Sequence, residues 1–310
     1  MDIFPNLEST FINRPTVLTI GSFDGVHRGH QHLIRQVVAR ANALNAASAL
    51  ITLHPHPKVA LRPESDLRYL STLAERLEWL APLGLDYAIV FPFSREAAQT
   101  RARDFVQTLL DRVHLAEILC GKDFAFGYKR EGTVEFLRAL GAEQNFRVNV
   151  VEPLRLNGQV IASTRIRALI AAGDLPAATE WLGRYPSVRG RVIRGDQRGR
   201  TLGFPTANIE LPERRLLPAN GIYATRVKIG EVWRGGAANI GVRPTFTAGQ
   251  RLLEVFILDF AGEVYDQIMT VEFIARLREE IKFPNGTALV EQMQRDVVAT
   301  RATLARLKVE

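Results

Sequence analysis

The chain has 310 residues, 46% hydrophobic and 24% charged, with a formal net charge of +7; this is globular composition, and the length favours about two domains. No apolar run approaches the ~18 residues of a membrane span, and the opening MDIFPNLEST lacks the basic and apolar regions of a secretory leader. A single cysteine, Cys120, excludes an internal disulfide and points to a reducing, cytoplasmic compartment, while the basic balance suits nucleic acid or a polyphosphate equally.

Residues 16 to about 183 alternate short apolar runs with helical spacing. The strand candidates are TVLTI (16–20), SALITL (48–53), DYAIVF (86–91), AEILC (116–120) and RVNVVE (147–152). Helix-like stretches lie between them at 30–44, 72–83, 102–111 and 133–144. This βα alternation predicts a parallel sheet with helices on both faces, in which ligands bind beyond the carboxyl ends of the strands. The turn after TVLTI carries GSFDGVHRGH (21–30). A helix starting near Gly29 puts His27 and His30 on one side of its first turn, where free N–H groups favour an anion and a nucleotide could approach Gly29 closely. Two imidazoles there could donate to phosphate oxygens during transfer; the plainer alternative is a pair of surface histidines.

LHPHP (53–57) reads as a rigid loop between two prolines rather than a zinc site. CGKDFAFG (120–127) ends a strand in a Gly–Asp turn suited to folding over a ligand. STRIRALI (163–170) sets hydroxyls and arginines in a first helical turn, which suits a triphosphate or a plain N-cap with solvent-facing arginines. No G-x-G-x-x-G follows a strand and no G-x-x-x-x-G-K-[ST] occurs, which argues against a dinucleotide-binding dehydrogenase and a P-loop kinase.

From about 186 the runs SVRGRVI, GIYATRV, LLEVFILDF and DQIMTVEFI are β-rich and punctuated by Gly, Pro and Asn. They predict an antiparallel barrel or sandwich, followed by a helix over 287–307. The expected domains are 1–184 and 185–310. All six histidines lie at or before position 114, so a proton acceptor in the second half must be a carboxylate or something weaker. Glu254 stands inside an apolar strand, where an acid is costly unless paired or used. It is therefore a candidate general base, or else a strand-edge partner in an ion pair. In GRTLGFPTAN (199–208), Thr206 and Asn208 alternate and so share a face, offering hard oxygens to Mg²⁺ carrying ATP phosphates. LREEIKF (277–283) places Arg278 and Lys282 near Phe283, a lid for an aromatic ring system.

GSFDGVHRGH, HPHP, GKDFAFG and STRIR, in that order, resemble the adenylyltransferase half of the bacterial bifunctional riboflavin kinases/FMN adenylyltransferases, or FAD synthetases. GRTLGFPTAN, NGIYA, NIGVRPT, LEVFILDF and LREEIKF resemble their kinase half. The resemblance covers essentially the whole chain. It implies an α/β fold: a nucleotidyltransferase-type parallel sheet with helices on both faces, then an antiparallel β-barrel riboflavin-kinase domain with a terminal helix. It also implies two Mg²⁺- and ATP-dependent steps, riboflavin to FMN in the C-terminal half and FMN to FAD and pyrophosphate in the N-terminal half.

By that resemblance Glu254 would deprotonate the terminal ribityl hydroxyl, and Thr206 and Asn208 would hold Mg²⁺. Gly195, Gly199 and Arg200 would join them on the nucleotide, with Arg278 and Phe283 on the flavin. His27 and His30 would stabilise the transferring phosphate. Gly21, Ser22, Phe23, Asp24, Gly25, Gly29, Ser163, Thr164 and Arg167 would contact that ATP, and Asp123, Phe124 and Phe126 the FMN. Small-molecule partners are expected, without nucleic acid or membrane, for a monomer or weak homo-oligomer. Phe256 stands where many relatives carry histidine, and Ala162 where a serine is expected. The alternatives are a chain keeping one of the two activities, another H-x-G-H nucleotidyltransferase, or a flavin- or nucleotide-sensing binding protein. The β-rich second half argues against the nucleotidyltransferase alone, and the intact candidate base and phosphate sites against the sensor.

Overall fold

The computed structural model describes residues 1–195, 199, 202–242 and 251–307. Its contacts divide the chain into two compact units, Met1–Ser163 and Thr164–Glu310.

The first unit is built on six parallel strands: β1 (Asp2–Phe4), β2 (Thr16–Gly21), β3 (Ala47–His54), β4 (Tyr87–Pro92), β5 (Leu115–Cys120) and β6 (Arg147–Val150). Helices α1 (Arg28–Ala43), α2 (Pro57–Leu61), α3 (Leu73–Leu80), α4 (Ala102–Val113) and α5 (Val134–Gln144) connect them. All five expected strands form. β1, an edge strand of three residues on β4, was too short to show a pattern. The expected helix over 72–83 ends as α3 at Leu80 and tightens into a 3₁₀ turn, Ala81–Leu83.

Thr16 to Ile20 of β2 are all buried because both faces of the sheet are covered. Val17 joins the core formed with Ile34, Val37 and Leu80, whereas Leu18 and Ile20 join that formed with Leu109 and Leu137. The strand order β1-β4-β3-β2-β5-β6 makes the chain run outward from β2 in both directions. The reversal lies between β2 and β5, the position where open α/β sheets leave a ligand crevice. A small hairpin, β7 (Arg155–Leu156) and β8 (Gln159–Val160), follows β6.

In the second unit, α6 (Ser163–Ala172), whose first residue ends the first unit, and α7 (Leu175–Leu182) precede a closed barrel. Its strands are β9 (Ser187–Ile193), β10 (Thr206–Glu210), β11 (Gly221–Ile229), β12 (Val232–Val242), β13 (Arg251–Ile257) and β14 (Ile268–Arg278). They pair antiparallel in the order β10-β13-β12-β11-β14-β9, with β9 back on β10, so the barrel-or-sandwich alternative resolves to a barrel. Leu253, Val255, Ile257, Ala238, Ile240, Ala207 and Ile209 fill its interior. The alternate residues Glu254, Phe256, Asn239, Thr206 and Asn208 therefore face outward. The terminal helix α8 (Gly286–Arg306), capped by the Asn285 side chain, packs on β11, β12 and β14.

Candidate active sites

The turn leaving β2 is held from several sides. Phe23, Gly25 and Val26 all have left-handed backbone, with φ of 48°, 81° and 36°. Gly25 has a steric reason as well, since a Cβ there would meet Leu70 Cβ at 2.8 Å. The cost of such a conformation is tolerated only where the surroundings fix it. Here the Thr52 hydroxyl donates to Ser22 O (3.1 Å), Ser163 Oγ to Asp24 O (3.2 Å) and Gln31 Nε2 to Val26 O (2.9 Å). Thr52 is itself held by the fully buried Arg76, whose Nη1 donates to Thr52 Oγ1 at 2.8 Å and to Leu53 O at 3.2 Å.

The Asp24 carboxylate, 1% exposed, turns inward. It accepts from Leu70 N (3.0 Å), Ser71 N (2.9 Å) and Ser71 Oγ (2.9 Å), and Ser71 Oγ in turn accepts from Gly25 N at 3.0 Å. Asp24 thus clamps the β2 turn to the segment before α3.

His27 is the N-cap of α1, its Nδ1 accepting from His30 N at 3.2 Å. A neutral His27 therefore carries its proton on Nε2. The two imidazoles stack at 3.6 Å with 18° between planes, and Phe23 sets its ring edge-on to His30 at 5.1 Å. The helix start confirms the shared side expected for the pair. At Gly29 a Cβ would lie 3.1 Å from Ile161 O and 3.2 Å from the His27 ring, so protein atoms also approach it closely. Gly21 packs on the Phe23 ring.

After β5, Asp123 is exposed, while Phe124 and Phe126 are half-buried and stacked at 5.6 Å. Ser163 opens α6, with Thr164 and Arg167 following in its first turn. Arg165 lies over the Trp181 ring at 5.3 Å. In HPHP, His54 ends β3 and His56 caps α2, accepting from Lys58 N at 3.1 Å. Burial, then the nearby Arg76 charge, hold His54 below its ordinary value. Burial pushes the Cys120 thiol up to about 11, leaving it un-ionised at neutral pH.

The barrel presents a polar row on its outer face. Register pairs Asn208 with Glu254, Glu254 with Asn239, Asn239 with Ile222 and Ile222 with Arg278, so five residues form one rung across β10, β13, β12, β11 and β14. The neighbouring rung runs Thr206–Phe256–Ala237. All eight line a cavity of about 440 Å³, which Phe204, Ile281, Phe283 and, from α8, Leu289, Met293 and Val297 complete. Glu254 is half-buried rather than enclosed. Its apolar sequence neighbours form the barrel core while its own side chain faces this cavity.

Phe256 makes an edge contact with Phe204 at 5.2 Å. Arg278 lies 5.9 Å from the Phe283 ring, and its Nε and Nη2 donate to both oxygens of Asp296 at 2.9 and 2.6 Å. Sequence reasoning passed over Asp296 because its helical position carries no strand or motif signal. A second cavity, about 420 Å³, lies along Pro205, Thr206, Phe260 and Tyr265, with Thr206 common to both. Gly195 packs so closely on the Asn208 amide that a Cβ would clash, and Gly199 approaches Thr206 Oγ1. Arg200 lies outside the described residues.

A switch-point turn bearing two stacked imidazoles, and a barrel whose carboxylate faces a ligand-sized cavity, define a two-part phosphoryl- and nucleotidyl-transferring protein. Family models agree: that for FAD synthetase matches residues 10–165 and that for riboflavin kinase residues 182–304. Curated relatives named bifunctional riboflavin kinase/FMN adenylyltransferase include those of Haemophilus influenzae, 38% identical over 92% of this chain and 93% of that protein, and Pseudomonas fluorescens, 39% identical over 94% of each. The chain belongs to the bifunctional riboflavin kinase/FMN adenylyltransferase family. A solved structure from Streptococcus pneumoniae, described as a macrolide-efflux protein, has a TM-score of 0.86 and 31% identity over 97% of this chain and 98% of that one. That description stays with that protein; among the described residues no helix is long and apolar enough to cross a membrane.

Proposed function

We propose that the two reactions of this family are carried by the two sites above, riboflavin phosphorylation on the barrel and FMN adenylylation at the β2 turn. The observation that carries the reading is the rung Asn208–Glu254–Asn239, which sets a carboxylate between two amides facing the 440 Å³ cavity. Riboflavin occupies that cavity, its ring toward Arg278 and Phe283 and its terminal hydroxyl at Glu254, which takes the proton. The nucleoside of ATP occupies the second cavity, which meets the first at Thr206. The γ-phosphate then arrives beside the base, and in-line transfer becomes a problem of positioning and charge neutralisation.

The residues present fit Mg²⁺. Thr206 and Asn208 offer a hydroxyl and an amide oxygen from alternate positions on one face, and the close approach of Gly195 packs the Asn208 amide. Bound with ATP, the ion would offset phosphate charge. Gly195, Gly199 and Arg200 complete the nucleotide loop in this reading.

In the sheet unit the FMN phosphate attacks the α-phosphate of ATP and pyrophosphate leaves. His27 and His30 stabilise the transferring phosphate, and Ser163, the last residue of the same unit, holds the β2 turn by donating to Asp24 O. Thr164 and Arg167, next along α6, are assigned to the pyrophosphate by resemblance, as are Asp123, Phe124 and Phe126 to FMN. Asp24 serves ATP through the shape of the turn. The functional domains are 1–184 and 185–310, and the chain works on small molecules in the cytoplasm, without nucleic acid, as a monomer or weak homo-oligomer.

Chromatography of flavins over time tests the assignment. Glu254→Gln should stop FMN formation and leave FMN-to-FAD conversion within about two-fold, and His30→Ala should do the reverse, each losing on the order of 10²-fold or more. A folded variant in which either substitution stops both reactions would refute the two-site assignment.

A further inference from the structure

The rung bearing Glu254 holds one polar side chain to which neither reaction step gives a task. Asn239 stands on β12 directly opposite Glu254 on β13 and lines the same cavity. Its Oδ1 is buried and has no hydrogen-bond partner among the described residues. The strand does not require an amide here. Ala238 and Ile240 supply the barrel core, and a β-branched residue would suit the outward position better. A buried acceptor left unpaired costs about 1–3 kcal/mol, so the fold alone gives no reason to keep it.

The order of residues along the rung says what this oxygen meets. Glu254 marks the end of the flavin that reacts, and Ile222 and Arg278, the next two members after Asn239, mark the way to the ring. Neighbouring strands are about 4.8 Å apart. Asn239 therefore lies one strand from the base on the ring side, alongside the secondary hydroxyls of an extended ribityl chain. Each of those three hydroxyls is a donor, and they lie one, two and three carbons from the reacting one.

We infer that Asn239 is a specificity-determining residue of the kinase site, its amide rotating its enclosed oxygen toward the cavity to accept a hydrogen bond from a secondary ribityl hydroxyl. This rests on the reading of Glu254 as the base. The contact would select a polyol chain over an alkyl one. It would also set the chain's register, so that the terminal hydroxyl and not its neighbour meets Glu254.

The test uses the full chain with riboflavin and with flavins each lacking one secondary ribityl hydroxyl, comparing kcat/KM in the unsubstituted protein, Asn239→Ala and Asn239→Ser. The unsubstituted protein should disfavour at least one deoxy flavin by about 10-fold or more, the worth of one buried hydrogen bond. Asn239→Ala should lower kcat/KM for riboflavin by a similar factor yet leave that deoxy flavin within about two-fold, erasing the discrimination; Asn239→Ser should restore part of it. Calorimetry of the full chain reports whether the barrel still unfolds cooperatively, and if the alanine variant does not fold, the serine variant carries the comparison. Equal slowing of every flavin, or discrimination that persists in the variants, overturns the inference. Glu254→Gln failing to stop FMN formation would instead remove the base, a result distinguishable because it leaves the deoxy-flavin pattern to be read on its own.

Discussion

Removing the Asp24 carboxylate tests whether the β2 turn works through its shape. In Asp24→Ala, two backbone amides, Leu70 N and Ser71 N, and the Ser71 hydroxyl lose an acceptor at 2.9–3.0 Å, in a place where the side chain is 1% exposed. Hydrogen bonds to a charged acceptor are worth about 1.5–3 kcal/mol each, but the three share one anion and do not add fully. Ser71 keeps Gly25 N as a donor to its oxygen, which limits the damage. A loss of about 3–5 kcal/mol follows, consistent with breaking a buried charged contact. For a unit of this size that lowers the midpoint of thermal unfolding by on the order of 10 °C. Calorimetry should show the lower transition moving while FMN formation, measured well below it, stays within two-fold. FAD formation should fall mainly in kcat, because the imidazoles lose their fixed positions. A variant that unfolds at the unsubstituted temperature but binds ATP much more weakly would refute the reasoning, since Asp24 would then touch the nucleotide itself.

Asp296→Ala strips Arg278 of both carboxylate bonds and Gln292 Nε2 of its acceptor at 2.9 Å. With side chains 20% and 9% exposed the pair is partly screened, so about 2 kcal/mol is expected; the readout is a raised KM for riboflavin with FMN-to-FAD kinetics unchanged, and an unchanged KM would count against the cavity wall. The folded His54 pKa lies below its ordinary 6.5, so the folded chain binds fewer protons than the unfolded one as pH falls past that value. Its contribution is complete above 6.5 and is lost as pH drops toward and through the depressed folded value. His54→Asn should flatten the stability profile of the sheet unit there, measured by denaturant unfolding, and a slope that does not change removes His54 as the cause.

The architecture was legible where local pattern and burial coincide. Each of β2 to β5 is a run buried on one or both faces, and the parallel sheet followed from their alternation with helices, whereas the strand order that makes the switch point did not. What stayed hidden was non-local. Asp24 sits in a motif that names it a ligand contact, yet no spacing reveals that Leu70 and Ser71, nearly fifty residues on, claim its carboxylate. Asn239 was present in NIGVRPT without a task, because its place beside Glu254 arises from register between strands, and register is set by pairing across the sheet.

Glu117 and Glu254 show where a rule read from one strand stops. Both are single acids inside apolar runs, AEILC and LLEVFIL, and the argument that a buried acid must be paired or used applies to each. In β5, Glu117 is 0% exposed and takes both its oxygens to Arg40 Nε at 2.9 and 3.0 Å, with the Asn149 amide on one of them. It is fully occupied in joining α1 to β5 and β6. In β13, Glu254 looks outward into a cavity of about 440 Å³, with an asparagine opposite it on each neighbouring strand. The difference lies in what the opposite face of each strand packs against. A doubly covered sheet must enclose its acid completely, whereas the outside of a closed barrel, roofed by α8, can set one beside a ligand-sized cavity. The half of the chain without histidine thus carries a carboxylate on the barrel's outer face with an asparagine on each neighbouring strand, which is where the proposed reading puts the proton acceptor.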